Sequence, residues 1–316
     1  MSKIFLFPLN SRRTNRSSGS IDKQNPILAN YYSYPPAFDT DRQNLPLSFD
    51  RPQTSHSLMN SHYDRNIKEK IDMCDETPEN WSCFYGPLND IFETKPKVVF
   101  LKNKEGYLFN EMEKFFLKAW KDLSKESDAN ITVREITRIE NPQIFSNYTT
   151  ERKNLLKRST KEKIKLRETA VDLMVPSTLR QYLRLEINEK YLFHGTSRNK
   201  ALIITNKGFD NRVASSGWFG KGIYHAHSPK FSHHYTGSEN PRYMFLSRVL
   251  LGVAYDSTSH AGKSFTTPPC KTCKNTSCEN VDHKKTFDSI IGNGSEYVVY
   301  NGLQCYPEYL FSYDYN

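Results

Sequence analysis

Apolar positions recur along the later part of this chain with two distinct periods. In EGYLFNEMEKFFLKAW (Glu105–Trp120), Leu108, Met112, Phe115, Phe116 and Ala119 fall three or four residues apart, the spacing of one helix face. Asn141-Pro142 breaks the pattern, and QIFSNYTTERKNLL restarts it as a second helix. VVFL (Val98–Leu101), ITVREITRI (Ile131–Ile139), KYLFHG, KGIYHA, YMFLSRVLLG and EYVVYN read instead as strands bounded by turn residues. SPKFSHHY predicts a short helix with Ser228 as its cap and Pro229 at its first position. Helices lead and strands follow, which predicts an α+β fold and not a regular βαβ repeat.

Residues 1–95 carry neither period. Stretches such as NSRRTNRSSGSIDKQNP are rich in Ser, Asn, Arg, Asp and Pro. They cannot bury enough apolar area to offset chain entropy, so this segment is expected to be largely disordered. YYSYPP and WSCFYGPL are aromatic islands within it, either docking motifs or segments that pack on the folded part. Residues 96–316 are expected to form the folded domain.

Composition agrees with that division. Hydrophobic residues make up 37% of the 316, mean hydropathy is −0.71, and 19 Tyr and 19 Phe suffice for one substantial core. No apolar run of about 18 residues exists, so no membrane-spanning helix is expected. MSKIFLFPL lacks the length and cleavage site of a secretory signal. Six cysteines, three of them clustered, point to a reducing compartment, nuclear or cytoplasmic, and not to a disulfide scaffold. Net charge is +9, with much of the excess between Glu151 and Lys190. That stretch reads as a solvated helical face, or as an attraction for a polyanion such as nucleic acid or a nucleotide's phosphates.

Taken singly, the candidate chemical residues have ordinary explanations. His194 ends a strand, Tyr224 is a strand aromatic, and Glu296 sits at a strand edge. Glycines at 217, 220, 222, 292 and 294 do not form G-x-G-x-x-G opening a helix, and no P-loop is present, which argues against hydride chemistry on a Rossmann sheet. Their order changes the picture. YLFHGTS, GFD, FGKGIYHAHSPKFSHHY, FLSRVLLG, PP and FDSIIGNGSEYVVYNGLQCYPEYLFSY follow one another in a single chain. This succession closely resembles the catalytic domain of the poly(ADP-ribose) polymerases, the diphtheria-toxin-like ADP-ribosyltransferases, from about Pro96 to the C-terminus.

The resemblance implies two packed, mainly antiparallel sheets with helices, and NAD as a substrate whose ADP-ribose passes to protein side chains. It implies a triad of His194, Tyr224 and Glu296. His194 would bond the 2′-hydroxyl of the adenosine ribose, and Tyr224 would pack and bond along the nicotinamide riboside. Gly195 backbone groups and the Ser232 hydroxyl would grip the nicotinamide amide, with the Tyr235 ring stacked on the pyridine. Ser232 and Tyr235 are spaced as neighbours on one helix face. Glu296 would stabilise the sugar cation and polarise the acceptor hydroxyl; a glutamate there is characteristic of members that elongate chains. His225 stands where the family commonly carries Phe. The stretch from Phe209 to Gly222, which forms the family's flap over NAD, is short. No helical regulatory domain is expected before the catalytic domain, a tankyrase-like trait.

CKTCKNTSCENVDH places Cys270, Cys273, Cys278 and His283 at C-x₂-C-x₄-C-x₄-H spacing, an insertion at 270–283 where the family has a plain loop. Four soft ligands so close suit a tetrahedral structural Zn²⁺, and a polar loop with reduced thiols is the alternative. A zinc knuckle differs in placing His third, and the tankyrase-like zinc site lies elsewhere in the domain. Two other function classes remain open: a catalytically weak module that binds NAD or ADP-ribose, and a nucleic-acid-binding protein built on the knuckle-like loop. The loop has no aromatics for base stacking, which counts against the last.

Overall fold

Asn141 and Pro142 divide the first helix-bearing stretch from the second as their chemistry demands. The Asn141 side chain accepts from Ile144 N at 3.2 Å, and Pro142 takes the first helical position, where no N–H is needed. The computed structural model describes residues 76–82, 84, 88, 95–122, 130–257, 265–275, 278–280, 283 and 285–316. Strand β1 (Lys97–Phe100) leads through a single helical turn into helix α1 (Gly106–Asp122), strand β2 (Ile131–Glu140) and helix α2 (Pro142–Ser159). Strand β3 (Glu189–Thr196), helix α3 (Arg198–Lys207), strand β4 (Ile223–Ala226) and helix α4 (Pro229–His233) follow. Strands β5 (Arg242–Leu250), β6 (Ala254–Ser257), β7 (Ser289–Gly292), β8 (Glu296–Val299) and β9 (Cys305–Tyr315) complete the order.

The strands run β1-β2-β9-β5-β3-β4-β8-β7-β6, antiparallel except for β6 with β7. The sheet is hydrogen-bonded throughout, yet β3 meets β4 through one register pair only, Phe193 opposite Ala226. On its other side β3 pairs with β5 from Glu189 to Thr196. One core cluster draws Leu192, Phe245 and Val249 from the first half-sheet and Ile223, Ile291 and Val299 from the second. Two mainly antiparallel half-sheets, joined by that one pair over a shared core, agree with the α+β fold expected.

Helix α1 covers one face of the first half-sheet. Phe116 stacks on Phe311 at 4.8 Å and meets Phe193 edge-on at 5.9 Å. Helix α2 packs with Ile187, Leu250 and Tyr306 in a second cluster. The expected disordered segment lies almost wholly outside the described residues. Its WSCFYGPL island, however, supplies Trp81, Phe84 and Leu88 to the α2 cluster. Trp81 is 5.2 Å from the Phe145 ring, and burying a large apolar side chain contributes about 1.5–3 kcal/mol.

Charge is buried behind this half-sheet in matched sets. Arg248 donates to both oxygens of Glu308, which also accepts from the Tyr191 hydroxyl at 2.6 Å. Arg152 donates to Glu189 at 2.8 Å, and Arg138 pairs with Glu140 at 3.0 Å. The basic stretch 151–190 is therefore only partly a solvated face. Arg152, Arg158, Arg167, Arg180 and Lys190 each reach a carboxylate of this chain, which lessens what a polyanion could find there.

No helix among the described residues is long and apolar enough to cross a membrane. Removing one partner of a buried pair leaves the other charge uncompensated. Glu308→Gln should therefore lower stability by about 3–5 kcal/mol, read as an earlier urea midpoint at unchanged m-value. A loss below about 1 kcal/mol would contradict the buried pairing.

Candidate active site at the seam between strands β3 and β4

Where β3 and β4 part after a single pair, freed backbone groups need other partners. The His194 Nδ1 lies 2.7 Å from Tyr224 O. A carbonyl can only accept, so Nδ1 carries the proton and Nε2 keeps its lone pair. Burial pushes the imidazole below its ordinary pKa, which keeps it neutral. The Phe209 ring meets it edge-on at 5.0 Å.

Gly195 follows, and its lack of a side chain has a cause within the protein. A Cβ there would stand 1.8 Å from Ser232 O, so helix α4 seats on β3 only because residue 195 is glycine. The helix starts as its sequence predicts, with the Ser228 hydroxyl accepting from Phe231 N at 3.4 Å. Ser232 is buried, and its Oγ donates to Phe193 O at 3.1 Å. On the far side of α4, His233 Nδ1 meets the Tyr313 hydroxyl at 2.9 Å, and its ring lies 5.2 Å from Trp120. Tyr235 is not on the helix. It lies in the turn beyond, where its N donates to Ser232 O at 3.1 Å, so the single helical face read from the spacing ends at His233, two residues early. The residue is 59% exposed, with its ring tilted against that of Phe231 at 6.3 Å.

Tyr224 faces the seam from β4. It pairs with Val298 while Ala226 pairs with Glu296, so the Tyr224 and Glu296 side chains share one face of the β4–β8 ladder. Its hydroxyl is already engaged, accepting from Phe219 N at 2.9 Å and donating to Gly220 O at 2.8 Å. The ring, not the hydroxyl, is what remains for a ligand. Gly217 packs on that ring, where a Cβ would come within 2.6 Å of Cζ. Burial raises the phenol to about 12, and the Glu296 charge adds to the rise.

Glu296 is buried, and that burial is the influence that raises its carboxyl pKa. Its charge in turn raises Tyr224 and Tyr235, which puts both rings within its field. His194 and Gly195 thus lie on β3, Tyr224 on β4 and Glu296 on β8, while Ser232 reaches β3 from helix α4 and Tyr235 lies in the turn beyond it. Sequence reading missed Phe219 and the glycines at 217 and 220, because their spacing was tested only against a dinucleotide fingerprint. The metal candidates also converge: Cys270, Cys273, Cys278 and His283 point ligand atoms within 4.8 Å of one another.

A family model described as the poly(ADP-ribose) polymerase catalytic domain matches residues 109–315. Mouse and human proteins named protein mono-ADP-ribosyltransferase PARP12 are 36% identical over 134 residues and 34% identical over 130 residues. Each match covers 40% of this chain and 17% of the relative. A Dictyostelium discoideum protein named probable poly [ADP-ribose] polymerase is 28% identical over 236 residues, 71% of this chain and 58% of that one. The matches therefore take in less than two thirds of each of these relatives.

His225, where the resemblance implies Phe, is buried 5.4 Å from the His194 ring and 5.3 Å from the Phe209 ring. Burial holds it neutral, well below its ordinary pKa, and the nearby His194 adds to the effect. An unfolded chain would take up this proton first as pH falls through about 6.5, so the folded state loses stability below that pH, by up to roughly 1.4 kcal/mol per pH unit for one group. His225→Phe should flatten the decline in urea stability between about pH 7 and pH 5. An unaltered slope would contradict a neutral buried imidazole.

Proposed function

The chain belongs to the poly(ADP-ribose) polymerase catalytic-domain family, and from that premise we propose that it transfers ADP-ribose from NAD⁺ to side chains of protein acceptors. Nicotinamide leaves as the neutral base when the C1′–N bond breaks, and the sugar passes through an oxocarbenium-like state. An acceptor oxygen or nitrogen then bonds to C1′, and its proton goes to solvent. The observation that carries the reading is Glu296, a buried carboxylate on the same face of the β4–β8 ladder as Tyr224. Such a charge stabilises a cation forming beside it more than it stabilises the resting substrate.

The other groups take roles that fit their environments. His194 Nε2, a fixed acceptor, suits a ribose hydroxyl donor. The exposed Tyr235 ring suits a stacked pyridine. Ser232 and the main chain of Gly195 lie on the same edge and suit a carboxamide. The Ser232 hydroxyl, which donates to Phe193 O, has lone pairs free to accept from the amide N–H. Two relatives are named for single transfer, whereas the glutamate at 296 favours elongation through its action on an acceptor hydroxyl. Incubation with labelled NAD⁺ followed by gel separation tells these apart: a sharp band for single transfer, a ladder or smear for polymer. No label on any protein would sink the proposal.

Glu296→Gln should keep NAD⁺ affinity within a few-fold and lower turnover by about 10²–10³, the range for losing one transition-state electrostatic contact. Because the raised carboxyl must be ionised to act, wild-type turnover should fall on the acid side at a higher pH than an ordinary glutamate would give, and the variant should lack that limb. Equal loss of binding and turnover would refute the role. Tyr235→Ala should weaken nicotinamide-like inhibitors by about 1 kcal/mol, close to fivefold, the scale of one aromatic pair. Unchanged inhibition would remove the stack.

A further inference from the structure

Three thiol sulfurs and one imidazole nitrogen, from Cys270, Cys273, Cys278 and His283, lie within 4.8 Å of one another. All three cysteines are free, so their proximity is not that of a disulfide. Ligands about 2.3 Å (S) or 2.0 Å (N) from a tetrahedral Zn²⁺ stand roughly 3.5–3.8 Å apart. Cys278 Sγ and His283 Nδ1 are already 3.4 Å apart. The remaining edges need to shorten by no more than about 1 Å.

The turn carrying the first two ligands is preformed. Lys274 N donates to Cys270 O at 3.0 Å, Thr272 N donates to Cys270 Sγ at 3.3 Å, and Lys274 holds a left-handed φ of 61°. A lysine in that conformation is strained unless its surroundings hold it there. On both flanks the chain is clamped. Phe287 N donates to Pro269 O and Lys271 N to Lys285 O, each at 2.9 Å. Lys271 reaches Glu162 at the end of the α2 region at 2.7 Å.

A short, stiff connection through Pro268 and Pro269 leads back to Phe265. Phe265 O accepts from Lys221 N at 2.7 Å. A Cβ at Gly220, whose φ is +85°, would stand 2.1 Å from that same oxygen. Gly220 is the residue whose carbonyl receives the Tyr224 hydroxyl. Phe265, five residues before Cys270, and Tyr224 thus both bear on the Gly217–Lys221 turn.

We propose that Cys270, Cys273, Cys278 and His283 bind one Zn²⁺, and that this ion fixes Phe265 beneath the Gly217–Lys221 turn that seats Tyr224. Each coordinating thiol gives up its proton on binding, and His283 ligates through Nδ1 as the neutral ring. The ion is structural: all four positions are filled by side chains, which leaves none for a substrate or water. The metal site stands independently of the transfer reading, and only its consequence at Tyr224 rests on that reading.

The test uses the full chain, purified in reductant, stripped with a chelator and reloaded with Zn²⁺ or Co²⁺. One zinc per chain should copurify, and cobalt should give the intense visible bands and thiolate charge-transfer absorption of a tetrahedral sulfur-rich site. Cys278→Ser and His283→Ala should each weaken zinc by more than the ten- to hundredfold typical of outer-shell changes. Stripping should speed hydrogen exchange at the Lys221 and Phe219 amides at least about tenfold, an opening free-energy change of about 1.4 kcal/mol. Absence of metal under reducing conditions, a weak octahedral cobalt spectrum, or a disulfide within the cluster would overturn the site. Unaltered exchange at both amides would overturn the link to Tyr224. A chain that binds zinc but modifies no protein would leave the site standing and defeat the transfer reading alone.

Discussion

The two half-sheets are joined by one backbone pair, Phe193 with Ala226, and by the His194 imidazole that takes up the Tyr224 carbonyl. Every candidate catalytic group borders that seam. A continuous ladder would have consumed the backbone groups of β3 and β4 and closed the space between them. A complete separation would have left them without partners. One pair plus one side chain holds the edges in register while they diverge. The same bond decides which histidine nitrogen faces outward, so the strand geometry and the protonation of His194 are a single fact.

Behind the seam, the protein treats its carboxylates in two ways. Glu140, Glu189 and Glu308 are buried and each meets an arginine. Glu296, also buried, has tyrosine rings in its field and, among the described residues, no guanidinium on it. The Arg248–Glu308–Tyr191 set ties β5, β9 and β3 together and the Arg152–Glu189 pair ties α2 to β3, which gives the site a stiff backing. Under the proposed transfer, the unmatched one is left for a charge that exists only during reaction. Desolvation without compensation is costly in a static protein, and a functional site is where that cost is retained.

Much of this was legible in the chain. The helix and strand periods located α1, α2, β2, β3, β4, β5 and β8, and the Ser228-Pro229 pair marked the start of α4 within its bounds. The longest strand, β9, was not read from periodicity, because Pro307 and Glu308 interrupt its pattern. The ladder absorbs Pro307 where the pairing of β5 with β9 shifts between Leu246 and Arg248, and Glu308 is neutralised by Arg248. Both remedies come from distant residues and leave no local trace. Gly195 was found for a ligand's sake, yet its immediate cause is the pressure of α4. Tyr224 is expected to pack and bond along the nicotinamide riboside, and only the folded turn at 217–220 reveals that its hydroxyl already holds Phe219 N and Gly220 O. The WSCFYGPL island illustrates the reverse: isolated in sequence, it is an ordinary piece of core once α2 is beside it.

The contact of the Ser232 carbonyl with residue 195 has a bearing on divergence. An edge of the cleft built from main-chain atoms has the same donors and acceptors whatever amino acids the gene comes to encode, provided the glycine survives. Drift can repaint the wall at a position such as 235, where the side chain is exposed, but it cannot repaint that edge. Descendants of this chain can therefore alter the side-chain surface far more readily than they can lose that main-chain edge.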